Sequence, residues 1–230
     1  MNSVWQAGWR ACVIASVLLV ICLAFQQGIA SLYALSAEKE LLTWNDTPAN
    51  MSAVEEAQFA IQKAIEHNPA HPQYTFLAGR VWQWQAYLMK EDAQDNALKR
   101  AKAYYLESVQ QRPTWPDSWA ELLKIEAQLS ERESLSPELN EYMAMAAHYG
   151  PYTLAVNMAI SQVGLSKWSY WNREQKWLVI EHLARGLNGK NSRHLLADYL
   201  KSTHQFKLAC TLASRREPKL EIRICNTVLK

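Results

Sequence analysis

The run from Ala11 to Phe25, ACVIASVLLVICLAF, constrains this chain more than any other feature. Between Arg10 and Glu38 the only titratable side chains are the thiols of Cys12 and Cys22 and the phenol of Tyr33. Backbone amides in hydrocarbon must bond to one another, and a helix achieves this within one segment. Continued through Gln26, Gln27 and Gly28 into IASLYAL, the run makes a helix of about twenty residues. At about 1.5 Å per residue it crosses a hydrocarbon layer of about 30 Å. The sequence therefore predicts an N-terminal stretch at 1–10, a transmembrane signal anchor at 11–35 and a juxtamembrane segment at 36–53.

Trp5 and Trp9 stand just before the span, where amphipathic rings settle among headgroups. Arg10 and the terminal amine lie upstream, whereas Glu38, Lys39, Glu40 and Asp46 follow with no basic excess, which predicts a cytoplasmic N-terminus and an exported body. A cleaved signal peptide is the alternative, with small residues at Gly28 and Ala30 or at Ala34 and Ser36. Ile21 stands before Cys22, where a bacterial lipoprotein signal has a small residue, so lipidation is not expected.

Beyond the span the composition favours helices. Seven glycines in 230 residues, with abundant Ala, Leu, Gln, Glu and Lys and 49% hydrophobic residues, exclude collagen-like, disordered and multi-span classes. A net charge of +2 offers no field for a phosphate backbone, so nucleic acid is not expected as a partner. Cys210 and Cys225 form the soluble cysteine pair. A disulfide there would close a loop of about fifteen residues and stabilise by about 3 kcal/mol, with a charged turn at Glu217–Pro218 bringing the two arms together. Two buried free thiols are the other reading.

Three segments share one pattern. AIQKAIEHNPAHPQYTFLAGRVWQW, AYYLESVQQRPTWPDSWAELLKIEA and YMAMAAHYGPYTLAVNMAISQVG each place Pro69, Pro113 or Pro151 between two amphipathic stretches. Proline lacks an amide donor and ends a helix, yet fits the first turn of the next. The prolines are about 44 and about 38 residues apart, longer than the 34 of an ideal tetratricopeptide repeat. Lys90 to Arg100 is expected to loop out the excess. Ala57, Ala60 and Ala64 before Pro69, and Trp119 with Leu122, resemble the tetratricopeptide family between Val54 and Val163, although the Gly-Tyr pair of that family is missing. The expectation is an all-α chain: one transmembrane helix, then a short irregular tetratricopeptide-like helical-hairpin solenoid over 54–170 and a C-terminal helical cap over 171–230. In the cap, Asn172 and Gln175 predict a capping box for a helix to Leu187 ended by Asn188-Gly189, and Ser192 an N-cap for a helix to Lys201.

Catalytic motifs are missing: no GxSxG, HExxH, CxxC or glycine-rich phosphate loop occurs. His67 and His71 are four apart, but Pro69 interrupts the helix that would put two metal ligands on one face. Glu55 with Glu56, Asp92 with Asp95, and Asp117 with Glu121 read as solvated faces or, for Asp117, as an acid at a helix start. No catalytic residue, metal or cofactor is expected. Ten tryptophans carry the sharper signal. Trp82 and Trp84 are two apart on one predicted helix and face different neighbours, so Arg80, Trp82, Trp84 and Tyr87 are the candidate binding groove. Trp115 and Trp119, four apart, are assigned to the core between repeats, with Trp168, Trp171 and Trp177 as further core candidates.

The layout of a short N-terminus, one span and irregular helix pairs, with the fragments HNPAHPQYTFLAGRVWQWQA and RPTWPDSWAELLKIEA, resembles the small accessory proteins of bacterial exopolysaccharide clusters, the VpsP type. That resemblance implies a non-enzymatic scaffold in the bacterial inner membrane, with a periplasmic body and membrane polysaccharide assembly or export proteins as partners. The lipid bilayer and a glycan are further binding candidates. A periplasmic chaperone or translocon accessory protein, and a polysaccharide-modifying enzyme, are the competing expectations.

Overall fold

A computed structural model describes residues 2–44, 47–130, 135–216 and 222–226. Asp46, Glu217 and Pro218, used in the topology and turn arguments, lie outside the described residues. The chain is all-helical, with no strand among the described residues, and it divides into two compact units, Met1–Gln111 and Arg112–Lys230. The division falls inside the segment 54–170 that the sequence suggests as one repeat region.

The first unit contains α1 (Asn2–Thr43), α2 (Met51–His67), α3 (Pro72–Leu88) and α4 (Glu91–Gln111). The first of these does not stop where the apolar run stops. Its early part is exposed on every side from Gly8 to Gly28, while Ala30, Ala34, Ala37, Leu41 and Trp44 are buried at alternating steps of four and three. That stripe meets Val54, Ala57, Ile61 and Ala64 of α2, which repeat the same steps. Alanine carries so little volume that two helix backbones approach closely along such a seam. The first part of segment 36–53 is thus the end of a helix with a core face, and its last three residues already belong to α2.

Asn50 caps α2 by accepting the Ala53 amide at 2.9 Å, and the chain turns at Asn68-Pro69. Pro72 occupies the first turn of α3, where its missing donor leaves nothing unbonded. The end of α4 holds this turn: Gln111 Nε2 donates to Pro69 O at 2.9 Å and the Ser108 hydroxyl to Pro72 O at 3.0 Å. Between the two helices Tyr105 is fully buried, with its hydroxyl 2.5 Å from Gln83 Oε1. Gly79 makes room for it. A Cβ there would lie 2.7 Å from Tyr105 Cε1. Lys90–Arg100 does not loop out: apart from Lys90 it is the start of α4, and the extra spacing between prolines is taken up by a helix of 21 residues.

The second unit contains α5 (Pro116–Leu129), α6 (Pro137–Tyr149), α7 (Leu154–Ser166), α8 (Arg173–Asn188), α9 (Arg193–Ser202), α10 (Phe206–Arg216) and a 3-10 turn at Arg223–Cys225. Gly164 lets α7 and α8 approach, since a Cβ there would lie 2.4 Å from Val179 Cγ2. The capping box of α8 is complete, Asn172 accepting the Gln175 amide and Gln175 the Asn172 amide, both at 2.9 Å. Ser192 differs from expectation. It precedes α9 in a helical conformation and turns its hydroxyl back to Gly186 O at 2.7 Å, closing α8 instead of capping α9. Cys210 of α10 is bonded to Cys225 of the 3-10 turn.

Helices pair in an order offset by one from the proline junctions. The most extensive contacts are α1 with α2 and α3 with α4 in the first unit, and α5 with α6 and α7 with α8 in the second. Pro69 and Pro151 therefore join one hairpin to the next within their units rather than forming the tip of a hairpin. A proline turn thus directs the chain between packed pairs in each unit.

Candidate functional site

The residues predicted for a groove lie on α3, but the helix separates them. Arg80, Trp84 and Tyr87 follow one another at steps of four and three and share a face. Trp82 points elsewhere, and the Arg100 guanidinium of α4 lies 4.7 Å from its ring centroid. An arginine over an indole at a surface contributes about 0.5–1 kcal/mol, so Trp82 reads as a clamp between α3 and α4.

Trp84 is half-buried against the alanine-rich core. Its ring meets Trp44, at the end of α1, edge-on with centroids 5.6 Å apart, and meets Tyr87 with centroids 5.9 Å apart. Edge-to-face geometry places positive ring edges against negative faces, which orients all three rings. The row runs from inside to outside: Trp44 is buried and Tyr87 is 77% exposed. Arg80, one turn before Trp84, is half-exposed and has no hydrogen bond or ion pair among the described residues. Beside this row Gln58 Nε2 donates to Gln85 Oε1 at 2.6 Å, joining α2 to α3. Tyr104 of α4 reaches Gln62 at 3.4 Å.

Such a face can act in two ways chemically. Flat apolar rings stack on apolar surfaces, including those of sugars, and amides and a guanidinium direct hydrogen bonds to hydroxyls, carbonyls or acids. Proton transfer is another matter. Glu55, Glu56, Asp92 and Asp95 are exposed to solvent. Glu121 pairs with Lys124 at 2.6 Å. His67 stacks on Tyr33 and His71 on Tyr74, with ring centroids 6.2 and 4.1 Å apart. Burial lowers the His71 pKa below its usual value. Among the described residues no three His, Cys, Asp or Glu side chains gather as a metal site would require.

In the second unit Trp119 is buried and its indole donates to Pro113 O at 2.7 Å. Trp115 departs from its expected place in the core: it is the half-buried N-cap residue of α5, and Arg112 lies 5.3 Å from its ring centroid. Trp171 is buried and donates to Gly164 O at 3.0 Å. Trp168 is half-buried under Lys176 and Trp177 is largely exposed, so of these three only Trp171 is core. Sequence reasoning missed Trp44, Arg100 and the buried pair His182–Asn157, whose Nδ1 and Oδ1 lie 2.7 Å apart. For Trp44 a signal existed, because it continues the three-four stripe Ala30, Ala34, Ala37, Leu41. The other two depend on partners that only folding supplies.

Arg10 is exposed on α1, as are Trp5, Trp9 and the whole apolar run. The segment Gly8–Thr43 is the one long apolar helix among the described residues, and its most apolar stretch buries nothing within the molecule. No protein-family model matches the chain, and no curated protein matches it.

Proposed function

We propose that this protein is a non-enzymatic accessory factor anchored in the bacterial inner membrane by α1, its body in the periplasm, holding partners of exopolysaccharide assembly or export close to the bilayer. The observation that carries the reading is the continuity of α1. About twenty residues, from Arg10 to Gly28, bury nothing in the protein and match the thickness of a bilayer core. Two residues later the same helix becomes part of the first core. A body joined in this way stands at the lipid surface with no slack linker between. The Cys210–Cys225 bond suits an oxidising compartment, which agrees with export.

Consecutive helical hairpins, with alanine seams and prolines between pairs, are consistent with a tetratricopeptide-like arrangement within each unit. Such hairpins commonly present extended surfaces to peptides and proteins. The row Trp44–Trp84–Tyr87 with Arg80 is the surface assigned to the partner, a protein of the polysaccharide machinery or the glycan itself. The polysaccharide assignment rests on the resemblance drawn from the sequence.

Purification of the full chain from native membranes after crosslinking tests the reading. Recovery of polysaccharide polymerase or export components, lost on Tyr87→Ala, is the expected result. Recovery of nascent exported polypeptides instead would point to a chaperone. Digestion of the body by protease in right-side-out spheroplasts is expected, and protection there would overturn the export.

A further inference from the structure

A pocket of about 360 Å³ opens in the second unit where the end of α8, the start of α9 and the 3-10 turn converge, lined by Leu187, Asn188, Arg193, Arg223 and Ile224. Its size falls within the range of small-molecule sites. Two arginines line it from separate elements, Arg193 opening α9 and Arg223 opening the 3-10 turn. Neither pairs with a carboxylate among the described residues. Arg193 Nε lies 3.3 Å from His194 Nε2, and Arg223 has no side-chain partner among the described residues. Two like charges at one cavity repel until an anion lies between them.

Two carbonyls near the end of α8 are already bonded. Arg185 O accepts the Gly189 amide at 2.8 Å and Gly186 O accepts the Ser192 hydroxyl at 2.7 Å. Asn188 also lines the cavity. From Gly186 to Ala197 the chain carries Lys190, Arg193 and His194 and no acid. Arg223 is also held from a distance, because Cys225, two residues on, is bonded to Cys210 of α10.

We infer that this pocket binds a small molecule through an oxyanion group, phosphate or carboxylate, clamped between Arg193 and Arg223, with the Cys210–Cys225 bond presenting Arg223. Guanidinium forks match both groups with paired hydrogen bonds. The site stands on its own geometry and does not depend on the polysaccharide reading.

Equilibrium dialysis of the full chain in detergent against inorganic pyrophosphate and against malonate tests it. Saturable binding of one is expected, and which one binds separates phosphate from carboxylate ligands. Arg193→Gln and Arg223→Gln should each weaken it about tenfold, the effect of losing one charged hydrogen bond. Lys207→Gln, an exposed charge on α10, should leave it unchanged. Absence of saturation with both probes, or an equal loss in the Lys207 variant, overturns the site. A measurement without variants uses arginine modification by phenylglyoxal: the bound probe should protect Arg193 and Arg223, and unprotected modification rejects the clamp. Reduction of the Cys210–Cys225 bond should weaken binding as much as Arg223→Gln, and unchanged affinity in the reduced protein removes the role given to the bridge.

Discussion

The two units are built from the same kind of helix but hold themselves together differently. In the first, alanine stripes, one buried tyrosine and hydrogen bonds to the Pro69–Pro72 turn do the work, with no disulfide among the described residues. In the second, a disulfide ties α10 to the chain end and a histidine with no exposed surface lies between α7 and α8. Stability that comes from packed shape alone is insensitive to solution chemistry, whereas a cross-link and a buried titratable group make stability depend on redox state and pH. The lesson is that the second unit can respond to its compartment and the first cannot to the same degree.

The largest expected effect is a packing loss in the second unit. Trp119→Ala removes a buried indole and its bond to Pro113 O, and should destabilise that unit by about 3–5 kcal/mol. Hydrogen exchange resolved by residue should show faster opening across α5–α8 and unchanged protection in α2–α4. Uniform loss in both units would break the distinction between them.

Acidification comes next. His182 is completely buried, with Nδ1 on Asn157 and no partner for Nε2, and burial, followed by repulsion from Arg185, lowers its pKa to about 4. The unfolded chain binds the proton near pH 6.5, so between 6.5 and about 4 the unfolded state holds more protons than the folded one. Stability is therefore full above pH 6.5 and falls as pH drops towards 4, by about 3 kcal/mol in all. Chemical denaturation of the second unit followed at pH 7, 5.5 and 4 should show this slope, and His182→Gln should flatten it. His71 in the first unit is lowered in the same direction by burial, but it stands near the surface and is screened.

Two smaller tests concern the first unit. Gly79→Ala pushes a Cβ against the Tyr105 ring and should destabilise by about 1–3 kcal/mol, seen as an earlier thermal transition of α3 and α4. Arg100→Gln removes the cation over Trp82 and should lower stability by about 0.5–1 kcal/mol, with a red-shifted tryptophan emission. No change in emission would mean that Trp82 is not clamped.

The local features were legible in the order of residues. The apolar run, the proline turns, the complete capping box at Asn172 and Gln175, and the helical character of the whole chain each depend on residues within a few positions of one another. The candidate groove was legible only as a set of side chains on one helix. Period alone separates Trp82 from Arg80, Trp84 and Tyr87, but it does not say that Trp44 would cover one side of Trp84. The expectation that Lys90–Arg100 loops out failed because charge marks a solvated helical face as readily as a loop. Ser192 failed as a cap because its hydroxyl found a carbonyl six residues back.

The sequence by itself determined that one helix is apolar enough to cross a bilayer, that the remainder is helical, and where the proline turns and the capping box fall, because hydrophobic run length, proline geometry and capping act over one or two turns. Only the tertiary structure decided which helices pair, that α1 carries an exposed apolar stretch and a core face along one axis, and which residues line a common cavity. Those outcomes depend on side chains far apart in the chain, and their contacts exist only once the helices have packed.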